Sequence, residues 1–236
     1  MKVEIWSDVV CPWCYIGKRR FESALARFPH RDAVEVVWRS FELDPTAPAR
    51  REGDGAERLA AKYGMSRQQA VASQDRLTRT AAQEGLTFRF DVAQSGNTLN
   101  AHRLLHLANE RGLQAEVKER LMRAYFSEAE PIGEVETLVR LVAEVGISAA
   151  DARAALSGNA YIEEVRAEER EATELGINGV PFFVIDRRYG VSGAQSPDVL
   201  LQALEQAWAE SHPSLLLTPV GAGAGDAACT DDTCTI

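Results

Sequence analysis

The segment KVEIWSDVVCPWCYIGKRRF, residues 2–21, decides the fold of this 236-residue chain. Val3 and Ile5 alternate with polar residues, which predicts a strand over residues 2–7. Pro12 suits the first position of a helix because that position needs no N–H donor, and the helix is predicted to run to about Phe28. The segment therefore predicts a strand that leads into a helix, with Cys11 at the start of the helix.

Later segments of the chain extend this unit into a sheet. Residues 33–43 alternate apolar side chains again, so a second strand is expected there and completes a β-α-β unit. Near the other end, the unbroken apolar run Pro181–Ile185 is typical of a strand buried on both faces. Tyr189–Ser192 offers it a short partner strand. A closing helix over residues 197–210 begins with Ser196 as its cap and Pro197 in its first turn.

Residues 56–176 are predicted to be almost wholly helical, with one brief extended stretch around Phe88 and Phe90. Helix ends are the clearest signal in this region. A glycine followed by an apolar residue, with a small or apolar residue four positions before the glycine, is typical of a left-handed helix stop. Five helix ends are expected, at Gly64, Gly85, Gly112, Gly146 and Gly176.

The predicted organisation is an α/β fold in which the two outer segments share one sheet. Residues 1–50 form its first part, residues 56–175 form an inserted all-helical domain, and residues 176–212 form its second part. Residues 213–236 lose periodicity and carry a glycine-alanine spacer, which predicts a flexible tail with Cys229 and Cys234.

Cys11 and Cys14 are the candidate catalytic residues. A thiol is nucleophilic only as a thiolate, and a helix N-terminus favours negative charge. Cys11 is expected to be the exposed attacker and Cys14 the buried resolving thiol. Pro12 and Trp13 would tune the thiolate by limiting water. A zinc half-site or two inert cysteines are the alternatives.

Val180 and Pro181 form the second candidate element. A proline that opens a buried strand cannot donate to the ladder and is often cis at a tight entry, although an ordinary trans proline is the commoner case. A cis bond would leave the Val180 backbone free to pair with an extended substrate beside Cys11.

The remaining candidates are one residue just before Cys11, two in the predicted helical region and two in the tail. Asp8 would relay protons to the buried thiol or, as the plainer alternative, cap the helix entry. Asn97 and His102 would line the cleft above Cys11, or His102 would simply pack in the core. Cys229 and Cys234 would exchange with the first pair as an internal relay, or oxidise incidentally.

Composition excludes several classes of protein. The formal net charge is −9, whereas a nucleic-acid surface needs clustered cations. No apolar run approaches the roughly 18 residues of a membrane span. Acidic residues interrupt any leader-like apolar run at the N-terminus, so a cytoplasmic location is expected. In a reducing compartment, two tight cysteine pairs indicate catalysis or metal binding.

The chain resembles the DsbA-like family, in particular its FrnE-like branch, from about residue 2 to residue 210. The stretches that carry the resemblance are SDVVCPWCYIG at 7–17, NTLNAHRL at 97–104, GINGVPFFV at 176–184 and VSGAQ at 191–195. The resemblance implies a thioredoxin fold with a large inserted helical domain. It also implies a cis Val180–Pro181 bond that faces Cys11 and Cys14.

The leading functional hypothesis is a thiol–disulfide oxidoreductase that oxidises, reduces or isomerises protein disulfides. Protein thiols and disulfides would be its substrates, and glutathione or a thioredoxin-type reductant its redox partner, with no resident cofactor or metal. Glutathione-dependent isomerases and kappa-class transferases share the superfamily but typically carry serine at the first position, so Cys11 argues against them. A client-binding holdase or a metal-responsive protein is the third hypothesis.

Overall fold

The structure of the protein is a computed structural model, and it describes residues 1–51 and 53–213. The order of elements is a β-α-β unit, a run of helices and a β-β-α unit. The strands are β1 (Lys2–Ser7), β2 (Glu35–Ser40), β3 (Phe182–Ile185) and β4 (Tyr189–Ser192). The helices are α1 (Pro12–Arg27), α2 (Gly55–Tyr63), α3 (Arg67–Gln83), α4 (Leu99–Glu110), α5 (Gln114–Ser127), α6 (Val135–Ala143), α7 (Ala149–Ser157), α8 (Ile162–Glu174) and α9 (Pro197–Ser211).

Both outer segments contribute to one sheet, as the sequence predicts. Within the described residues its order is β2-β1-β3-β4, with β1 parallel to β2 and antiparallel to β3. Strand β2 is shorter than the predicted 33–43, because Arg31–Ala33 is a 3₁₀ turn and the ladder stops at Ser40. Beyond Ser40 the chain leaves the sheet, and the Leu43 N–H donates to Asp8 Oδ2 at 2.9 Å instead of to a neighbouring strand.

The five predicted glycine stops are confirmed. Each glycine has a positive φ, between 64° and 99°, and the residue after it donates its N–H to the carbonyl five residues before it. In the first of these, Met65 N–H bonds to Ala60 O at 3.1 Å. This 6→1 bond satisfies a carbonyl that the helix end would otherwise leave unpaired. The confirmed stops are Gly64, Gly85, Gly112, Gly146 and Gly176.

Helix α1 belongs to two hydrophobic cores. Its first turns, with Tyr15 and Ile16, pack into the core of the helical region, while Phe21 and Ala24 pack against the sheet and α9. Cys11 and Cys14 lie in the first of these cores. The two cysteines are therefore held where the helical region meets the sheet.

Polar side chains from the helical region fix its position on strand β2. The Gln114 amide accepts from Trp38 N–H and donates to Trp38 C=O, both at 2.9 Å, so it mimics a neighbouring strand. Glu168 accepts from Ser40 N–H at 2.6 Å. These bonds occupy backbone groups of an edge strand that would otherwise be open to pairing with another chain. Of the helices described, none combines the length and the apolar character that crossing a bilayer requires.

Candidate active site

Cys11 occupies the N-cap position of α1. Its backbone is extended, with φ −85° and ψ 115°, and Pro12 is the first helical residue. The Cys11 carbonyl accepts from Cys14 N–H at 3.0 Å and from Tyr15 N–H at 3.3 Å, which starts the helix. No side chain caps this end. The Cys11 thiol therefore stands at the positive end of the helix dipole without a competing carboxylate from a cap.

Both cysteines are free thiols, and they differ in burial less than the sequence suggests. Cys14 is fully buried and Cys11 is 4% exposed, so the expected order holds, but Cys11 is not an exposed residue. The reason is the loop before β3, since the Cys11 thiol donates to the Val180 carbonyl at 3.5 Å. The side chain that is open to solvent is Trp13, at 44% exposure.

Val180 and Pro181 contact α1 at two places: Val180 at the Cys11 sulfur and Pro181 at Gly17. The peptide bond between them is cis, as the family resemblance implied, and strand β3 begins only at Phe182. The Pro181 ring packs on α1 so closely that a Cβ added to Gly17 would lie 2.9 Å from Pro181 Cγ. Glycine at position 17 therefore allows the loop to place the Val180 carbonyl on the Cys11 sulfur.

We expect a Gly17→Ala substitution to push this loop away from α1. Alanine gains about 1 kcal/mol of helix propensity, but overpacking against a rigid ring costs about 1–3 kcal/mol. The expected net result is a loss of about 1 kcal/mol in the free energy of unfolding, together with slower disulfide exchange at Cys11. Denaturant unfolding and exchange rates measure both effects. The matched control is Gly179→Ala in the same loop, where an added Cβ meets no atom within 4 Å; equal losses in both variants would contradict the expectation.

The surroundings of Cys14 act strongly on the ionisation of its thiol. Burial raises the pKa of Cys14 well above its ordinary value, and the neighbouring Cys11 sulfur raises it further. The charge of Lys118 and the backbone N–H of Asp8 oppose that rise. Cys14 therefore stays protonated at neutral pH until another group accepts its proton.

Asp8 does not cap α1, so the plainer expectation for this residue is wrong. Its Oδ2 accepts from Leu43 N–H at 2.9 Å, and its Oδ1 lies 3.4 Å from His102 Nε2. Both side chains are buried. Burial alone would raise the pKa of Asp8, but the His102 ring, the Leu43 N–H and the charge of Lys118 hold it below its ordinary value.

Asn97 has a structural role at the start of α4. Its Oδ1 accepts from Leu99 N–H at 2.9 Å at the start of α4, and its amide donates to Pro45 O at 3.2 Å. Its own N–H donates to Pro48 O at 2.8 Å. These bonds tie the loop after β2 to the start of α4, and none of them reaches the cysteines.

Lys118 is the residue of this site that the sequence analysis missed. It is fully buried on α5, its Nζ donates to Ser7 O at 3.2 Å, and it lies over the Trp38 ring. Burial lowers the pKa of Lys118 to about 8 against the opposing charges of Cys14 and Asp8. The sequence did contain a sign of this burial, because Lys118 falls on the apolar face of α5 that carries Leu121 and Met122.

The tail pair Cys229 and Cys234 lies outside the described residues. Within residues 1–51 and 53–213, no group of three or more His, Cys, Asp or Glu side chains is arranged to hold a metal ion.

The chain was compared with known proteins. A family model described as the DSBA-like thioredoxin domain matches residues 2–205. An uncharacterised Bacillus subtilis protein, YwbO, is 30% identical over 204 residues, which cover 86% of this chain and 94% of that protein. A solved structure of a probable DsbA oxidoreductase from Streptomyces coelicolor is 51% identical, covers 95% of each chain and superposes with a TM-score of 0.86.

A cytosolic disulfide reductase from Pseudomonas aeruginosa, DsbM, solved with GSH, shares the fold at a TM-score of 0.61 and 22% identity, over 87% of this chain and 98% of that chain. The FrnE-like branch stays a prediction. The family model covers most of the chain and includes both cysteines, the loop at Pro181 and the helices between them. The chain therefore belongs to the DSBA-like thioredoxin domain family and has a DsbA-like thioredoxin fold with a helical insertion.

Proposed function

We propose that the protein is a thiol–disulfide oxidoreductase that works by dithiol–disulfide exchange, with Cys11 as nucleophile and Cys14 as resolving thiol. The observation that carries the proposal is the position of the Cys11 thiol, at the uncapped start of α1 and 3.5 Å from the Val180 carbonyl. The N-terminus of a helix favours the negative charge of a thiolate, and Cys14 lies one turn farther along α1, where it can resolve a mixed disulfide on Cys11.

The exchange balances without a cofactor. The Cys11 thiolate attacks one sulfur of a substrate disulfide, the substrate S–S bond breaks, and its other sulfur leaves as a thiolate. The Cys14 sulfur then attacks Cys11 in the mixed disulfide, loses its proton and forms the Cys11–Cys14 disulfide, while the second substrate thiolate leaves. Two substrate sulfurs are reduced and two enzyme sulfurs are oxidised; the reverse sequence oxidises a substrate dithiol.

Protein thiols and disulfides are the proposed substrates. Strand β3 begins two residues after Val180, so Val180 lies outside that strand, and its backbone beside Cys11 is the proposed pairing site for an extended polypeptide. Trp13 offers an exposed aromatic surface next to the same sulfur. Glutathione or a thioredoxin-type reductant is the proposed redox partner, and a fold neighbour solved with GSH supports testing glutathione first.

The test is the reduction potential of the Cys11–Cys14 pair, measured by equilibration with a glutathione series, acid quenching and mass spectrometry. The measurement uses a variant with Cys229→Ser and Cys234→Ser, so that only the Cys11–Cys14 pair contributes to the measured potential. A value near or above about −200 mV marks an oxidant or isomerase, and one near about −270 mV marks a reductant. If no Cys11–Cys14 disulfide forms anywhere in the series, the proposal fails, and full activity of a Cys11→Ser variant would favour a holdase.

The proposed compartment is the cytoplasm. There, the potential of the pair relative to that of the reducing glutathione pool would set the direction of exchange. Fractionation of cells that express the native gene, with an antibody against the protein, tests this part of the proposal. Recovery in an extracytoplasmic fraction would overturn it.

A further inference from the structure

Arg20, on the third turn of α1, joins three parts of the chain that are far apart in sequence. Its Nη1 donates to the Ala194 carbonyl at 2.7 Å, and its Nε pairs with Glu84 Oε1 at 2.6 Å. Ala194 lies between β4 and α9, and Glu84 is the C-cap of α3 in the helical insertion. The side chains of Arg20 and Glu84 are each only 20% exposed, so both bonds are partly sheltered from solvent.

The segment 193–195, which Arg20 holds, supports the loop that carries Pro181. The Gly193 N–H donates to the Pro181 carbonyl at 2.8 Å, which continues the pairing of β3 and β4 by one residue. The Ala194 methyl also packs towards α1, because a Cβ added to Gly17 would lie 3.4 Å from it. A displacement of this segment away from α1 would therefore draw Pro181 with it.

The loop with Val180 and Pro181 affects Cys11 in two ways. It covers the sulfur, since the Cys11 thiol donates to the Val180 carbonyl and the residue is only 4% exposed. It also presents the backbone to which an extended substrate is proposed to pair. A loop that moved away from α1 would uncover the sulfur to small reagents and, at the same time, lose the geometry for pairing with a polypeptide.

The two bonds of Arg20 use the particular shape of a guanidinium. Its donors are fixed in a planar fork, whereas lysine has a single compact ammonium on a flexible stem. The carboxylate of Glu84 holds one side of that fork at Nε. The orientation of Nη1 towards the Ala194 carbonyl is thereby fixed, and a lysine at position 20 would reproduce one bond rather than both.

We propose that Arg20 is a positioning residue that holds the Val180–Pro181 loop over the Cys11 sulfur. It acts through segment 193–195, and its bond to Glu84 makes the position of the loop depend on the helical insertion. The inference rests on the proposed exchange reaction. In that reaction the restraint reserves the Cys11 sulfur for substrates that pair with the Val180 backbone, and excludes small molecules that do not.

The test compares two reactions of Cys11 in the full-length protein with Cys229→Ser and Cys234→Ser. The first is alkylation of the reduced protein by iodoacetamide, which needs only access to a sulfur, and peptide mapping by mass spectrometry follows Cys11 and Cys14 separately. The second is single-turnover reduction of an oxidised model peptide. Its dependence on peptide concentration gives a half-saturating concentration and a limiting rate.

Three variants probe the restraint: Arg20→Met removes both bonds, Arg20→Lys keeps the charge without the fork, and Glu84→Gln weakens only the link to the insertion. The matched control is Arg19→Met. Arg19 is the neighbour of Arg20 on α1 and also pairs with the insertion, at Glu119 of α5, but its ion pairs lie away from segment 193–195.

We expect Arg20→Met to speed the alkylation of Cys11 by about 10-fold and to raise the half-saturating peptide concentration by about 10-fold, the lower range for loss of a hydrogen bond from a charged group. The limiting rate and the alkylation of Cys14 should stay close to those of the parent protein. Arg20→Lys should restore part of both effects, Glu84→Gln should show smaller changes in the same directions, and Arg19→Met should match the parent.

A merely structural role of Arg20 predicts a different pattern. Loss of global stability would speed the alkylation of Cys14 together with that of Cys11, and would leave the half-saturating peptide concentration unchanged. That pattern, or no change in either reaction, would overturn the positioning role while leaving the exchange reaction intact. If Arg20→Met does not fold, Arg20→Lys and Glu84→Gln decide by the same criteria.

Failure of the proposed function gives a separate result. A parent protein that reduces no peptide at any concentration would contradict the exchange reaction itself. The alkylation rates of Cys11 in the parent and in the Arg20 variants would then still decide whether Arg20 holds the loop over the sulfur.

Discussion

A Cys14→Ser variant is expected to trap its substrates as mixed disulfides on Cys11. Cys14 is one helical turn from Cys11 and fully buried, so in the native protein it attacks the mixed disulfide intramolecularly. Well-oriented intramolecular reactions reach effective molarities of about 10⁵–10⁸ M, which millimolar external thiols cannot match. The lifetime of the mixed disulfide should therefore lengthen by at least about 10³-fold.

Incubation with an oxidised peptide, followed by alkylation and intact-mass measurement, shows the trapped adduct and its lifetime. Cys11→Ser is the matched control, since it keeps a buried thiol at position 14 but removes the nucleophile, and it should form no adduct. If Cys11→Ser were the variant that accumulated the adduct, the roles of the two cysteines would be reversed. If neither variant formed one, exchange through this pair would be contradicted.

A Lys118→Met variant is expected to be more stable than the native protein at neutral pH. Lys118 is fully buried, and burial lowers its pKa from 10.5 to about 8. Each unit of such a shift corresponds to about 1.4 kcal/mol between the charged and neutral states. The buried ammonium therefore costs about 3 kcal/mol below pH 8, and methionine, of similar length, removes that cost.

The same shift fixes the direction of the pH dependence. Between about pH 8 and pH 10.5 the unfolded chain still binds the Lys118 proton while the folded protein has lost it. The free energy of unfolding should therefore rise through this window in the native protein relative to Lys118→Met. Urea unfolding at a series of pH values, compared between the two proteins, measures the difference. A difference that is flat from pH 7 to about pH 10.5 would show that Lys118 keeps its ordinary pKa.

The charge of Lys118 also opposes the rise in the pKa of Cys14, so the stability cost of Lys118 and the ionisation of the resolving thiol are linked. A buried charge that costs stability beside a reactive thiol is a candidate for a role in the reaction. Lys118→Met should thus gain stability and at the same time impede ionisation of Cys14. A variant that gained stability with unchanged Cys14 ionisation would separate the structural cost of Lys118 from any part in the reaction.

Local chemistry made much of this protein predictable from its sequence. Each of the five glycine stops involves only residues within six positions of each other. A glycine with positive φ allows the terminal hydrogen bond to form without contacts from the rest of the fold. The start of α1 is equally local, because Pro12 and the residues around it set the helix entry and so place Cys11 at the helix N-terminus. The pairing of the outer segments into one sheet followed from their apolar periodicity.

Tertiary structure decided what depends on contacts between distant segments. The limited exposure of Cys11 comes from Val180, 169 residues away, and the carboxylate of Asp8 lies against Leu43 and His102 instead of capping the helix that follows it. The burial of Lys118 is settled by the docking of α5 against the end of β1. Sequence periodicity reports which face of an element is apolar, but the charge, pKa and hydration of a buried group depend on every element packed around it, and only the assembled fold brings those elements together.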